Sequence, residues 1–189
     1  MKRASVFLLA FLIISLLLTF YVPNVRADST FGKTNVGATG CGNKDVLFAN
    51  KYSPTQNGTV TELHAYTTAT NWHVKIALYT DKDGYPNALL IETGSIMGVA
   101  GGWVSQAGFS QAVLAANDYW LVTKTSVAGA MYKYDGCGSG CCERESDTYA
   151  DDFPATFPAE SMADSIYGIS MYATYTPSGG EEKNFYGEI

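Results

Sequence analysis

Apolar and polar side chains alternate with a period of two along much of this chain, and this alternation constrains the fold more than any other feature. In the segment 72–80, Trp72, Val74, Ile76 and Leu78 fall on one face and mostly polar residues on the other. Such a pattern predicts a β-strand with one buried face. No long stretch has helical periodicity, so helices between the strands, and hence a parallel sheet, are not expected.

Turn residues separate the alternating segments at short intervals. In residues 81–86, aspartates and a glycine tolerate left-handed backbone and a proline fixes φ, which predicts a turn. Eight or nine strands at this spacing predict an all-β fold, a two-sheet antiparallel β-sandwich that is jelly-roll-like in outline. The predicted strands are residues 30–36, 46–52, 59–67, 72–80, 89–96, 103–109, 119–124, 130–134 and 166–174.

Residues 1–27 have the pattern of a secretory signal peptide. Two basic residues precede an uncharged apolar run at 4–22, and Val25 and Ala27 provide a signal-peptidase site. The alternative is an uncleaved anchor, because a run of 19 residues approaches the roughly 20 that span a bilayer. Either way, the basic residues before the run place the domain outside the cell, secreted or at the cell surface.

Cleavage after Ala27 would leave a single sandwich domain at 28–176 and a linker-like tail at 177–189. It would also leave nine Lys and Arg against eighteen Asp and Glu, a net charge of −9. A surface this acidic repels phosphates and anionic lipids, which excludes nucleic acid as a partner. Contact with a membrane is expected only through residues 4–22, if that run is retained.

Four cysteines in an exported domain predict disulfides. A bridge between the neighbours Cys141 and Cys142 would be strained, so Cys137 is expected to pair with one of them and Cys41 with the remaining cysteine. A bridge closing the long loop from Cys41 would stabilise the fold by about 4–5 kcal/mol. A metal site made of all four thiolates is the alternative, but the spacing differs from the paired knuckles of structural zinc.

The segment 135–164 contains eight carboxylates and a single basic residue. Calcium binds six to eight oxygens, which carboxylates on irregular backbone can supply. A structural calcium ion is therefore the candidate cofactor, and a simply solvated acidic loop is the alternative. The candidate ligands are Asp135, Asp147, Asp151 and Asp152.

Aromatic residues supply the candidate ligand site. The chain has 13 Tyr and 3 Trp, and sugars are bound in grooves that combine flat rings with a few polar groups. Tyr119 and Trp120 lie on opposite faces of one predicted strand, so one of them is expected to face outward. Trp120, Tyr132 and Tyr134 are the candidate ligand-binding residues, with core packing as the alternative role of each ring.

The sequence contains no recognised catalytic motif. The nucleophile elbow of hydrolases is absent, and the two histidines, His64 and His73, lie in predicted strands without a nucleophile at motif spacing. The chain is therefore not expected to be an enzyme. Asn57 begins an N-glycosylation acceptor in a predicted turn.

The order of several short segments resembles that of a known module. These segments are residues 31–38, 76–81, 84–86, 89–90, 103, 119–121, 147–153 and 169–175, and the match extends over roughly residues 31–176. In this order they are similar to a poorly characterised β-sandwich module of secreted and surface proteins from archaea and some bacteria. The resemblance implies a jelly-roll-like fold similar in outline to carbohydrate-binding modules, and it implies no established activity. The four cysteines are not part of that pattern.

Three functions are compatible with these features. The first is a non-catalytic secreted extracellular module for surface attachment or glycan recognition, with a glycan or another cell-surface molecule as its partner. The second is a structural subunit of a cell-surface or virion-type assembly, formed by self-association. The third is a glycosidase that depends on paired carboxylates.

Overall fold

A computed structural model describes residues 27–129, 132–136, 142–158, 163–164 and 167–179. The expected signal peptide and the end of the expected tail lie outside these residues, apart from Ala27 and residues 177–179. In the described part, no helix is long and apolar enough to cross a membrane. The strands are β1 (Ser29–Gly32), β2 (Thr39–Cys41), β3 (Val46–Tyr52), β4 (Gly58–Thr67), β5 (His73–Lys82), β6 (Tyr85–Glu92), β7 (Ile96–Met97), β8 (Gly102–Val113), β9 (Tyr119–Thr125), β10 (Tyr132–Gly136), β11 (Cys142–Ser146), β12 (Ala163–Asp164), β13 (Tyr167–Ile169) and β14 (Met171–Pro177).

The strands form two sheets in which neighbouring strands are antiparallel. In sheet A, β14 lies between β1 and β4, β8 pairs with the other side of β4, and β10 joins β2 and β13. In sheet B the order is β12, β11, β3, β9, β5 and β6, with β7 also beside β5. This architecture confirms the prediction of an all-β, two-sheet antiparallel sandwich.

The main core lies between the two sheets. Its members include Leu63 and Ala65 of sheet A and Val74, Ile76 and Leu78 of sheet B, all of them fully buried. Burial of a large aliphatic side chain contributes about 1.5–3 kcal/mol. The predicted inward face of β5 is therefore confirmed, and the period-two pattern explains why it faces the other sheet.

The outer face of sheet B is buried as well. Residues 147–158, which we call the covering loop, place Phe153 and Phe157 against this face. The two rings pack with Tyr79 and Trp120 in a second apolar cluster that is separate from the main core. Sheet B is thus covered on both sides, whereas the outer face of sheet A remains partly open to solvent.

The predicted boundaries agree with the structure in some places and differ in others. β3 spans the predicted residues, and the expected turn after β5 is present, with φ of 57° at Asp83 and 90° at Gly84. The described residues contain fourteen strands rather than eight or nine, because several pairings involve only two to four residues. β11 lies in a segment expected to be irregular, and it forms because it pairs with β3.

Candidate functional site

The structure places the three predicted ligand-binding aromatics inside the protein or at its edge. Trp120 and Tyr132 are both 0% exposed, so neither ring has a face available to a ligand from solvent. Tyr134 is half-buried and packs edge-on against Tyr167, with ring centroids 4.7 Å apart. This corrects the expectation from the sequence for Trp120 and Tyr132, and the three rings do not form a common platform.

Trp120 is buried for a reason that the strand pattern could not reveal. It lies on the outer face of sheet B, as expected if Tyr119 points inward, but the covering loop closes that face. Its indole Nε1 donates a hydrogen bond to Asp81 Oδ1 at 2.7 Å. Tyr132 belongs to the main core, where its hydroxyl lies 2.9 Å from Thr123 Oγ1 and burial raises its pKa.

Most of the predicted calcium ligands surround a lysine. Lys124 is fully buried, and its Nζ donates to Asp147 Oδ2 at 2.5 Å and to the carbonyl oxygens of Asp151 and Asp152 at 2.9 and 3.2 Å. The Asp152 carboxylate points away, with its side chain 90% exposed. The ammonium group thus occupies the centre of the loop where a cation was expected, and it neutralises the Asp147 carboxylate.

Asp135, the fourth predicted calcium ligand, lies on sheet A. Its carboxylate accepts hydrogen bonds from Lys33 Nζ at 2.6 Å and from the Ala38 backbone N–H at 2.9 Å. These bonds hold the pKa of Asp135 below its ordinary value. Within the described residues, no three side chains of the His, Cys, Asp and Glu types converge as a metal site would require. The four aspartates therefore do not form one calcium site.

The cysteines only partly follow the expectation. Cys41 is a half-buried free thiol, so the long-range bridge expected from it is not formed in this structure. Burial raises the pKa of Cys41 to about 12. Cys142 is buried and disulfide-bonded. Cys137 and Cys141 lie outside the described residues, so the pairing within this local group stays a prediction.

Asn57 lies at the surface, in the turn before β4. Its side chain is exposed, and its Oδ1 accepts a hydrogen bond from the Ala115 backbone N–H at 2.9 Å. A surface turn is where an N-linked glycan would be attached. The glycosylation of Asn57 stays a prediction.

A connected group of rings lies on the outer face of sheet A. We call these four residues, Tyr66, Trp103, Tyr172 and His64, the aromatic face. The Trp103 ring meets Tyr66 edge-on at 5.5 Å and Tyr172 at 4.9 Å, and the His64 imidazole stacks on Tyr172 at 4.2 Å with an interplanar angle of 10°. All four are half-buried, so each ring is held by its neighbours while part of it remains in contact with solvent.

Three adjacent strands hold these rings together. Tyr66 pairs directly with Trp103 across β4 and β8, and His64 pairs directly with Tyr172 across β4 and β14. Directly opposed residues in an antiparallel sheet have their side chains on the same face about 5 Å apart. The rings are therefore fixed by a rigid sheet rather than by loops, which favours a well-defined binding geometry.

Polar groups line one side of the aromatic face. Glu62 accepts a hydrogen bond from the Ser105 hydroxyl at 2.5 Å, and its second oxygen lies 3.4 Å from His64 Nε2. Thr174 Oγ1 lies 2.9 Å from the same nitrogen. Burial lowers the pKa of His64, although the Glu62 charge acts in the opposite direction. The pKa of Tyr172 is raised, mainly by burial and to a smaller extent by the Glu62 charge. A neutral imidazole is favoured, so it can donate or accept a hydrogen bond.

The sequence contained a signal for this site. In β4 the polar and aromatic residues Glu62, His64 and Tyr66 alternate with buried Leu63 and Ala65. The alternation predicts that the three share one face, but it does not predict which strands lie beside them. Trp103 and Tyr172 come from distant parts of the chain, and only the sheet order brings them next to β4.

A scan against models of known protein families finds no match for this chain, and a search of curated proteins finds no similar sequence. Any functional proposal therefore depends on the geometry of the described residues.

Proposed function

We propose that this chain is a non-catalytic, secreted extracellular module that binds an uncharged glycan on the aromatic face. The observation that carries the proposal is the contact between Tyr66, Trp103, Tyr172 and His64 on the outer face of sheet A, which the described residues leave partly open. The jelly-roll-like outline, similar to carbohydrate-binding modules, belongs to the same proposal.

The chemistry of the face suits a sugar. The C–H faces of a pyranose ring are apolar and its edge bears hydroxyls, so its binding site needs flat aromatic surface beside hydrogen-bonding groups. Trp103 and Tyr172 supply the aromatic surface. Glu62, His64 and Thr174 supply donors and acceptors at its side, already connected to one another by hydrogen bonds or close polar contacts.

Charge narrows the ligand class. The Glu62 carboxylate lies within the face, and the exported part of the chain would carry a net charge of −9. Both features repel uronic acids, sialic acids and sulfated sugars. Neutral polysaccharides are therefore the expected ligands.

The proposal is tested by binding to a panel of neutral and acidic polysaccharides, measured by affinity electrophoresis and calorimetry. We expect retention by at least one neutral polysaccharide and none by the acidic ones. Tyr172→Ala should weaken binding at least about 30-fold, which corresponds to the roughly 2 kcal/mol loss typical of an aromatic hot spot.

The matched control is Tyr85→Ala. Tyr85 is 49% exposed on β6, in the other sheet, so its removal should leave glycan binding unchanged. Equal loss in the two variants, or an absence of binding to every polysaccharide in the panel, would contradict the proposal. Binding to the acidic members alone would contradict the assignment of an uncharged ligand.

A further inference from the structure

Strand β8 forms a long, open edge of sheet A. It has twelve residues, with a bulge at 108–110 where its register with β4 shifts, and within the described part of the chain it pairs only with β4. The opposite edge, β1, has only four residues. An edge strand presents backbone N–H and C=O groups that can pair with another strand, and the number of such groups increases with its length.

As far as the structure describes the chain, the β6 edge of sheet B is partly covered by backbone hydrogen bonds, whereas the β8 edge of sheet A is not. Two hydrogen bonds join β6 to the covering loop. The Leu89 N–H of β6 donates to the Ala155 carbonyl at 3.0 Å, and the Phe157 N–H of the loop donates to the Asn87 carbonyl at 2.7 Å. These bonds satisfy part of the β6 edge. The described residues supply no comparable backbone partner for the outer side of β8.

The β8 region also lacks the residues that usually protect an edge. No charged residue and no proline occurs anywhere from Thr93 to Asn117, although the chain as a whole is acidic. Natural edge strands are commonly protected by lysine, proline, other charges or β-bulges, and β8 has only the last of these, the bulge at 108–110. Three large apolar side chains in the same stretch are exposed, Met97 at 61%, Leu114 at 49% and Val99 at 40%.

We propose that β8 pairs antiparallel with β8 of a second copy of this chain, so that sheet A continues across a two-fold axis. A second copy fits because a strand edge is self-complementary under two-fold symmetry. Two acidic chains repel each other over most of their surfaces, and the uncharged β8 region is where they can approach without that repulsion.

The geometry has a consequence for ligand binding. A two-fold axis perpendicular to the sheet keeps the outer faces of both copies on the same side. Because Trp103 lies on β8, the aromatic faces of the two copies would lie on the same side of one continuous sheet. A long glycan could then contact both faces, and its second contact would be effectively intramolecular. This consequence depends on the proposed function, whereas the pairing of the edges does not.

The pairing is tested by sedimentation of the purified protein over a range of concentrations. We expect a dimer at tens of micromolar, and a monomer over the whole range would overturn the proposal. In Ala107→Lys/Ala112→Lys, two exposed alanines of β8 become lysines, and repulsion across the axis should weaken the dimer at least tenfold.

The control is Ala150→Lys/Ala155→Lys, which adds the same charge at two exposed alanines of the covering loop. Equal dissociation constants for the two variants would overturn the β8 interface. If the β8 variant does not fold, hydrogen exchange of the unaltered protein decides, because β8 amides must become better protected as concentration rises. Unchanged protection would overturn the pairing.

Tyr172→Ala separates this inference from the proposed function, because Tyr172 lies on β14. It should abolish most glycan binding and leave the dimer unchanged. A dimer that binds no glycan would contradict only the proposed function, and a glycan-binding monomer would contradict only the pairing.

Discussion

Replacing Lys124 with methionine should destabilise this protein more than any other single lysine substitution. The side chain is 0% exposed, and Nζ lies within hydrogen-bond distance of the Asp147 carboxylate and of the carbonyl oxygens of Thr148, Asp151 and Asp152. The same nitrogen lies 4.7 Å from the centre of the Phe153 ring. One ammonium group therefore ties the covering loop to β9.

The size of the expected stability loss follows from the polar groups that Lys124→Met leaves without a partner. Lys124→Met removes the counter-charge of Asp147, whose side chain is only 18% exposed, and it leaves three carbonyl oxygens without this donor. Removing one member of a buried ion pair costs about 3–5 kcal/mol. A domain of this kind is typically stable by about 5–15 kcal/mol, so the loss would be a large fraction of the total.

The assay is urea unfolding, monitored by tryptophan fluorescence. Lys82→Met is the control, because Lys82 is exposed at the end of β5, and it should change the free energy of unfolding by less than about 0.5 kcal/mol. The double variant Lys124→Met/Asp147→Leu should recover part of the loss, because it no longer leaves a carboxylate unpaired.

Two results would refute this reasoning. The first is a loss of less than 1 kcal/mol in Lys124→Met, which would mean that the loop is not held by the ammonium. The second is a rise in melting temperature of the unaltered protein on adding calcium, with no such rise in Asp147→Asn. That outcome would restore the calcium site expected from the sequence.

Three further predictions concern the covering loop, the aromatic face and the free thiol. Phe157→Ala should lower the free energy of unfolding by about 3–5 kcal/mol. It should also expose Trp120 and shift its fluorescence emission to longer wavelength. Unchanged emission would show that the position of the covering loop does not depend on this ring. Because the folded pKa of His64 lies below its unfolded value, its contribution to stability is present above about pH 6.5 and is lost as pH falls through the folded pKa. His64→Gln should therefore reduce the fall in melting temperature below that pH, with His73→Gln as control, and identical pH profiles in the two variants would contradict it. Because its pKa is raised, Cys41 should react slowly with a thiol reagent at pH 8 until the protein unfolds. Peptide mass spectrometry measures the extent of labelling, and fast labelling of the native protein would contradict the burial of this thiol.

The strands that were easiest to predict are those whose pattern is local. The alternation in residues 72–80 gave the inward face of β5, and β3 begins and ends where its sequence indicated. Backbone geometry alone places alternate side chains on opposite faces, so neighbouring residues suffice for this inference. Short strands such as β11 were missed, because they exist through their pairing with a distant strand and have little pattern of their own.

The candidate site was harder to predict, because alternation does not say which of two faces is exposed. Trp120 was a candidate ligand-binding residue with core packing as the alternative, and the covering loop buries it beneath Phe153 and Phe157. Trp103 was assigned only to a strand, and the order of β8, β4 and β14 places it against Tyr172. Both outcomes depend on segments far away along the chain.

The sequence by itself therefore determined that the chain forms antiparallel strands in two sheets, because apolar and polar side chains alternate along the chain with a period of two. The tertiary structure decided which sheet face stays open, which aromatic rings meet there, and that a lysine occupies the centre of the acidic loop. These features depend on contacts between residues far apart in sequence, because a face is buried only when another part of the chain packs against it. A charge in the interior is likewise stable only where the fold supplies its partner.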